Sequence, residues 1–269
     1  MIFDTHAHLN CAAFDPDREE LIKKCSEQAF GMINVGTNYE SSVKAVEMAQ
    51  RHDGLYAAVG LHPSNIDSAF YKSKEDHSLP ENFLEKQFDR SRYAALCHEP
   101  KVVAIGECGL DYWRRPKGEN KKEGFKAEQR DVFEKQATLA EELDLPLIIH
   151  CRDAFDDVIN ILSRSKAKGV MHCFTGSLAQ MEALLKLDFY MGFNGIIFKT
   201  DLKEAILRAP LEKILIETDC PYLSPPSFEE RNDPRAVFSV IKEIAKIKGL
   251  SEEEVAAETS LNAQKAFKL

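Results

Sequence analysis

Seven residues, His6, His8, His62, Glu107, His150, His172 and Asp219, carry the chemistry of a divalent-metal centre if the fold brings them together. Imidazole and carboxylate without clustered thiolate suit Zn²⁺, Mn²⁺, Fe²⁺ or Co²⁺, and, with open water positions, Mg²⁺. His6 and His8 stand two residues apart in MIFDTHAHLN, and on an extended segment such neighbours point to one side. Each residue alone has an ordinary structural explanation, since a buried histidine bonds to backbone and a carboxylate after a strand caps the next helix. Together, at least four histidines and two carboxylates at one mouth are costly to bury unless a cation joins them or solvent fills the space. Six ligands exceed what one tetrahedral ion needs, so two ions with Glu107 as the bridge are the economical solution. Two such ions would lower the pKa of a water, orient it and neutralise the oxygens of a phosphoryl or carbonyl transition state.

The elements that must position these residues follow from hydrophobic patterning. Apolar runs end before His6 and cover 30–36, 54–60, 101–107, 145–150, 169–174, 188–195 and 212–219. They are short, β-rich and mostly without strict alternation, as strands buried on both faces are. Amphipathic stretches at 17–29, 40–51, 124–143, 153–165, 178–187, 200–209 and 234–248 separate them, with a helical tail over 251–267. Strand then helix, repeated eight times, predicts a closed (β/α)₈ TIM barrel, α/β in class, as a single domain over residues 1–269. A doubly wound open sheet would usually show a glycine-rich loop after its first strand, and none is present. In a barrel all carboxyl ends of strands meet at one face. The seven residues fall at or just after strands 1, 3, 4, 5, 6 and 8, so the fold would surround one cavity with them.

Two segments exceed what connections require. The stretch 64–100 has room for an extra helix around 80–96, and 220–232 holds prolines at 221, 225 and 226 that exclude a regular helix but fix a loop wall. The 7 cysteines include no CxxC pair and read as free thiols, with Cys108, Cys151, Cys173 and Cys220 packing beneath the pocket. A net charge of −9 argues against whole-surface attraction to nucleic acid. No signal peptide or membrane span is apparent, and we expect a cytoplasmic monomer with no membrane or obligate protein partner.

Read in order, HAH at 6–8, GLHP at 60–63, GECGLDY at 106–112, IIHCRDA at 148–154, HCFTGS at 172–177, GFNG at 192–195 and ETDCPYLSP at 217–225 closely resemble the TatD family of metal-dependent deoxyribonucleases, within the amidohydrolase-like superfamily. The resemblance implies that His6, His8 and Asp219 hold one ion and His150 and His172 the other, with Glu107 between them. It implies 3′ to 5′ exonuclease action on single-stranded DNA or 3′ ends, with Mg²⁺, Mn²⁺ or Zn²⁺, one or two per chain. Asp219 and Glu107 would be catalytic, Asp219 also holding or activating the attacking water, and His62 would face a phosphate rather than metal. One departure is that Glu229 and Glu230 precede Arg231 where a basic segment is expected, although Arg231 could still grip phosphate.

Other substrate contacts come from the residues themselves. Arg152, two positions after His150, offers a fork matched to phosphate oxygens. Trp113, followed by the basic run RRPKGENKKEGFK at 114–126, has the makings of a single-strand contact. Rival readings are an amidohydrolase-like hydrolase of a small cyclic amide or phosphoester, many of which use a bridging lysine where this chain has Glu107, and a non-catalytic metal-containing interaction module.

Overall fold

Eight short runs of buried residues pair in chain order into one parallel sheet, in a computed structural model that describes residues 1–66, 84, 85, 87–113, 115–226, 228 and 231–269. The strands are β1 (Ile2–Ala7), β2 (Phe30–Val35), β3 (Leu55–Val59), β4 (Val102–Asp111), β5 (Leu147–Arg152), β6 (Gly169–Met171), β7 (Tyr190–Phe193) and β8 (Ile214–Ile216). Each pairs with its sequence neighbour, and the ring closes where the segment after β8 meets β1. There the Asp219 N–H donates to the His6 carbonyl at 2.8 Å, and the His8 N–H donates to the Cys220 carbonyl at 2.8 Å. The closing backbone bonds therefore run through three of the predicted site positions or their neighbours.

The apolar runs resolve into two faces because strand side chains alternate. Phe3, Ile33, Val35, Ala58, Ala104, Ile148, Val170 and Leu215 form an interior cluster, which also includes Ala263 and Phe267. Met32, Leu55, Ala57, Ile105, Ile149, Met171 and Ile216 belong to the larger core shared with the helices. These helices are α1 (Arg18–Glu27), α2 (Tyr39–Arg51), α3 (Arg90–Cys97), α4 (Glu119–Leu143), α5 (Phe155–Leu162), α6 (Leu178–Lys186), α7 (Lys203–Arg208), α8 (Val237–Lys248) and α9 (Glu252–Phe267). Reciprocal capping boxes start α2 (Asn38 with Ser41), α6 (Ser177 with Gln180) and α9 (Ser251 with Glu254), satisfying first-turn amides that would otherwise lack partners. Phe267, at the end of α9, is buried in the interior cluster. Phe267→Ala is therefore expected to lower stability by about 3–5 kcal/mol, read from denaturant unfolding.

Several boundaries differ from the sequence expectation. Strand 8 is only Ile214–Ile216 rather than 212–219: Leu211–Lys213 forms a 3₁₀ turn before it, and Asp219 takes a left-handed conformation (φ 57°) after it. Helix α4 begins at Glu119 rather than 124, so much of the predicted basic loop is its opening turns, where Lys122 pairs with Glu119 and Lys126 with Glu123. The extra helix expected around 80–96 is α3, starting at Arg90 behind an Asp89 cap that accepts from the Ser91 and Arg92 amides. Positions 80–83 and 86 of that expectation, together with Arg114, Glu229 and Glu230, lie outside the described residues.

Candidate metal centre

Glu107 sits on β4 with its carboxylate buried at the centre of a ring of imidazoles. Its Oε2 lies 3.6 Å from His6 Nε2 and 3.6 Å from His8 Nε2. Its Oε1 lies 3.0 Å from His150 Nδ1, 3.4 Å from His62 Nε2 and 4.0 Å from His172 Nε2. One oxygen thus faces the β1 histidines and the other faces the histidines near β3, β5 and β6. Asp219 completes the first half, with Oδ1 at 3.3 Å from His8 Nε2, 3.8 Å from His6 Nε2 and 3.9 Å from His172 Nε2.

Three sets of donor atoms converge, within 4.8 Å of one another in each: His6, His8 and Glu107; His6, His172 and Asp219; and His62, Glu107 and His150. His172 therefore stands between the halves, its ring stacked on that of His6 with centroids 3.6 Å apart. His62, expected to face phosphate, shares the Glu107 Oε1 side with His150.

The electrostatics fit a cation. Burial would push the Glu107 carboxyl up, but His62, His150 and His6 outweigh it and hold it well below the ordinary carboxylate range. Asp219 is likewise lowered, its burial overcome by His8, His172 and His6. Burial disfavours the charged form of every imidazole here and keeps His6 and His62 low. Against that same burial, Asp219 raises His8 to about 10, Asp111 and Glu107 raise His150 to about 9, and Glu217 and Asp219 raise His172 to about 9. Two ionised carboxylates thus draw protons onto the surrounding rings, and a divalent cation can take the place of those protons. The nitrogen and oxygen donor set and its convergence fit a divalent-metal site.

The groups behind the candidate ligands go beyond the sequence expectation. His8 Nδ1 lies 3.0 Å from the Val35 carbonyl, and His150 Nε2 lies 3.2 Å from Asp111 Oδ2. Glu217 is fully buried and accepts the Cys173 N–H at 2.7 Å and the Asn194 side-chain amide at 3.0 Å. Its Oε1 also lies 2.9 Å from His172 Nδ1, a close ionic contact set off the line of a directed hydrogen bond. Reaching from the end of β8 toward the end of β6 takes this carboxylate past β7, and Gly192 is what leaves the path open. A Cβ at Gly192 would come within 2.4 Å of Glu217 Oε2. The available signals were positional: Asp111 is four residues after Glu107 on one strand face, and Glu217 two before Asp219. Glu217→Gln is expected to weaken metal binding by about 10–100-fold, measured by calorimetric titration of the metal-free protein.

Asp4 and Thr5 stand beside the centre rather than in it. The Asp4 carboxylate accepts the His6 amide at 3.1 Å and the Thr218 amide at 2.9 Å, while the Thr5 hydroxyl donates to the Ile216 carbonyl at 3.1 Å. Both tie β1 to the closing segment. Cys108, Cys151 and Cys220 are buried, Cys173 is half-buried, and all are free thiols.

The expected substrate contacts separate. Arg152 ends β5 with its guanidinium carbon 4.5 Å from the Trp113 ring centroid, and Trp113 is 58% exposed. Arg231 is placed differently from the expectation: its two terminal nitrogens donate to Asp17 at 3.0 and 2.6 Å, and its guanidinium lies over Phe14. That internal pair occupies the fork that a phosphate would need.

Comparison with known proteins agrees with this geometry. The family model described as TatD related DNase matches residues 3–268. The chain is 39% identical over 278 residues to YabD of Bacillus subtilis, named an uncharacterized metal-dependent hydrolase, with all of both chains covered. It is 31% identical to a Salmonella typhimurium protein named 3′-5′ ssDNA/RNA exonuclease TatD, covering 100% of this chain and 99% of that one. Among solved structures, YJJV, a TatD homolog from Escherichia coli K12, superposes with a TM-score of 0.82 at 25% identity, over 100% of this chain and 98% of the other. With its barrel, its ordered motifs and a family match over nearly its whole length, the chain belongs to the TatD-related DNase family.

Proposed function

We propose that this chain is a divalent-metal-dependent hydrolase that removes nucleotides from the 3′ end of single-stranded DNA by cleaving phosphodiester bonds. The observation that carries the reading is the Glu107 carboxylate, one oxygen toward His6 and His8 and the other toward His150, His62 and His172. When bound there, divalent cations supply Lewis acidity toward a phosphoryl oxygen and make water a better nucleophile. His6, His8 and Asp219 would hold one cation, His150 and His172 the other, and Glu107 both.

Asp219 is held ionised at the partly open side of the ring, so it can accept a hydrogen bond from water and aim a lone pair at phosphorus. His62 faces the same cavity from the β3 side and can donate to a non-bridging phosphate oxygen. Arg152 is placed to neutralise a neighbouring phosphate. Every one of these groups comes from one chain, so a monomer suffices. Seven free cysteines suit the reducing cytoplasm, and no helix among the described residues is long and apolar enough to cross a membrane.

The test is to restore Mg²⁺, Mn²⁺ or Zn²⁺ to metal-free protein and supply 5′-labelled single-stranded DNA, with duplex and RNA as comparisons. A ladder shortening from the 3′ end is expected. Cleavage that survives both chelation and Glu107→Ala, or activity confined to small phosphoesters or cyclic amides, overturns the reading.

A further inference from the structure

A groove of about 570 Å³ opens outward from the ends of β4, β5 and β6, within the range of roughly 300–1,000 Å³ typical of small-ligand sites. Its walls begin where the metal centre stops. Tyr112 follows Asp111, which touches His150; Arg152 is two residues beyond His150; Thr175 to Ser177 lie just after His172. A strand with a phosphate at the centre would lay its next residue here.

The lining says which part of a nucleotide it takes. Trp113 is the one tryptophan of the chain, and it stands 58% exposed with the Arg152 guanidinium over its ring at 4.5 Å. Its loop is fixed by the Trp113 N–H donating to Asp111 Oδ1 at 2.9 Å. Arg152 makes no ion pair among the described residues, whereas Arg130 is bound to Asp157 at 2.9 Å and Arg231 to Asp17. A flat cation stacked on a flat indole gives a platform for a third planar group.

The rest of the groove carries three aspartates and one lysine, Lys126, which pairs with Glu123 and lies over the Tyr112 ring. Asp157 accepts from the Tyr112 hydroxyl at 2.7 Å and from Arg130, Asp156 accepts from Gln180 at 2.9 Å, and Asp153 is exposed without an ion pair among the described residues. Asp153 and Asp156 can accept hydrogen bonds from the ring and amino N–H groups of a base, which a phosphate lacks. We infer that this groove is a nucleobase subsite, in which the base adjoining the scissile phosphate of single-stranded DNA stacks on the Trp113 and Arg152 pair. The inference rests on the nuclease reading above and adds where the base, as distinct from the phosphate, is held.

Trp113 itself reports occupancy. In Mg²⁺, a phosphorothioate-linked oligodeoxynucleotide that resists cleavage is expected to quench its fluorescence, while inorganic polyphosphate, which can meet Arg152 but cannot stack, quenches it much less. An oligomer abasic at either of its last two 3′ positions is expected to bind about 5- to 100-fold more weakly than the intact one, the size of one base-on-aromatic stack. In Trp113→Ala and in Arg152→Ala, followed by anisotropy of a labelled oligomer, that difference should shrink toward unity. Equal wild-type affinity for intact and abasic oligomers, equal quenching by polyphosphate, or undiminished discrimination in both variants overturns the subsite. Base discrimination without hydrolysis of ordinary DNA in Mg²⁺, Mn²⁺ or Zn²⁺ keeps the subsite and overturns the nuclease reading; hydrolysis without discrimination does the reverse.

Discussion

Replacing Glu107 by Ala is expected to lower the rate of DNA hydrolysis by about 10³-fold or more and to remove tight binding at both halves of the centre. The size follows from the geometry. A loss of 10³-fold corresponds to about 4 kcal/mol of transition-state stabilisation, since each 1.36 kcal/mol is tenfold in rate, a size expected when the carboxylate that would hold both cations is removed. Here the one side chain approaches five imidazoles, so its loss leaves two sets of ligands without their common anion. Glu107→Gln keeps the volume but not the charge, and should fall with the Ala variant rather than with wild type. Asn10 gives the contrast on the same segment as His6: its side-chain amide donates to the Val35 and Ser41 carbonyls, bracing the chain beside the site. His6→Ala should therefore cost far more activity than Asn10→Ala at equal folded fraction. Single-turnover rates, with circular dichroism as the folding control, decide this. A Glu107 variant within tenfold of wild type would falsify the shared-carboxylate reading.

What could be read in advance, and what could not, divides along a physical line. Strand order and the positions of the candidate ligands depend on local pattern: eight apolar runs of the right length, six of them ending at or shortly before a histidine or carboxylate, put those residues at one barrel mouth whatever the loops do. Glu217 could not be found that way. Its contact with His172 joins β8 to the end of β6 and depends on the missing side chain of Gly192 on the strand between, a relation that only the closed ring creates. Arg231 illustrates the same limit. Its place in a proline-rich loop after β8 suggested a phosphate contact, but folding sets it against Asp17, more than 200 positions away, and nothing in the local sequence announces that pairing. Strand 8 was expected too long because Glu217 and Thr218 continue the β-rich pattern, while the left-handed turn at Asp219 is imposed by closure onto His6.

Chelation is expected to abolish hydrolysis, and restoring the cation should raise thermal stability as well as activity. A ligand that binds only the folded state stabilises it by about 2.7 kcal/mol at a hundred times its Kd. For a chain of this size that corresponds to a rise of about 5–10 °C in Tm. Binding should also release protons, and the sign is set by the carboxylates. In the absence of a cation Asp219 holds a proton on His8 up to about pH 10, and Asp111, Glu107 and Glu217 hold protons on His150 and His172 up to about pH 9. A cation must displace them, so affinity should rise with pH between about 6 and 9, by roughly tenfold per unit for each proton released. Calorimetric titration with Mn²⁺ in buffers of different ionisation enthalpy counts those protons directly. Glu107→Gln should lose both the Tm shift and most of the proton release, because the carboxylate that charges the His150 side and attracts the cation is the same one. A cation-independent Tm, or binding that strengthens as the pH falls, would show that these imidazoles serve a polar network rather than a metal.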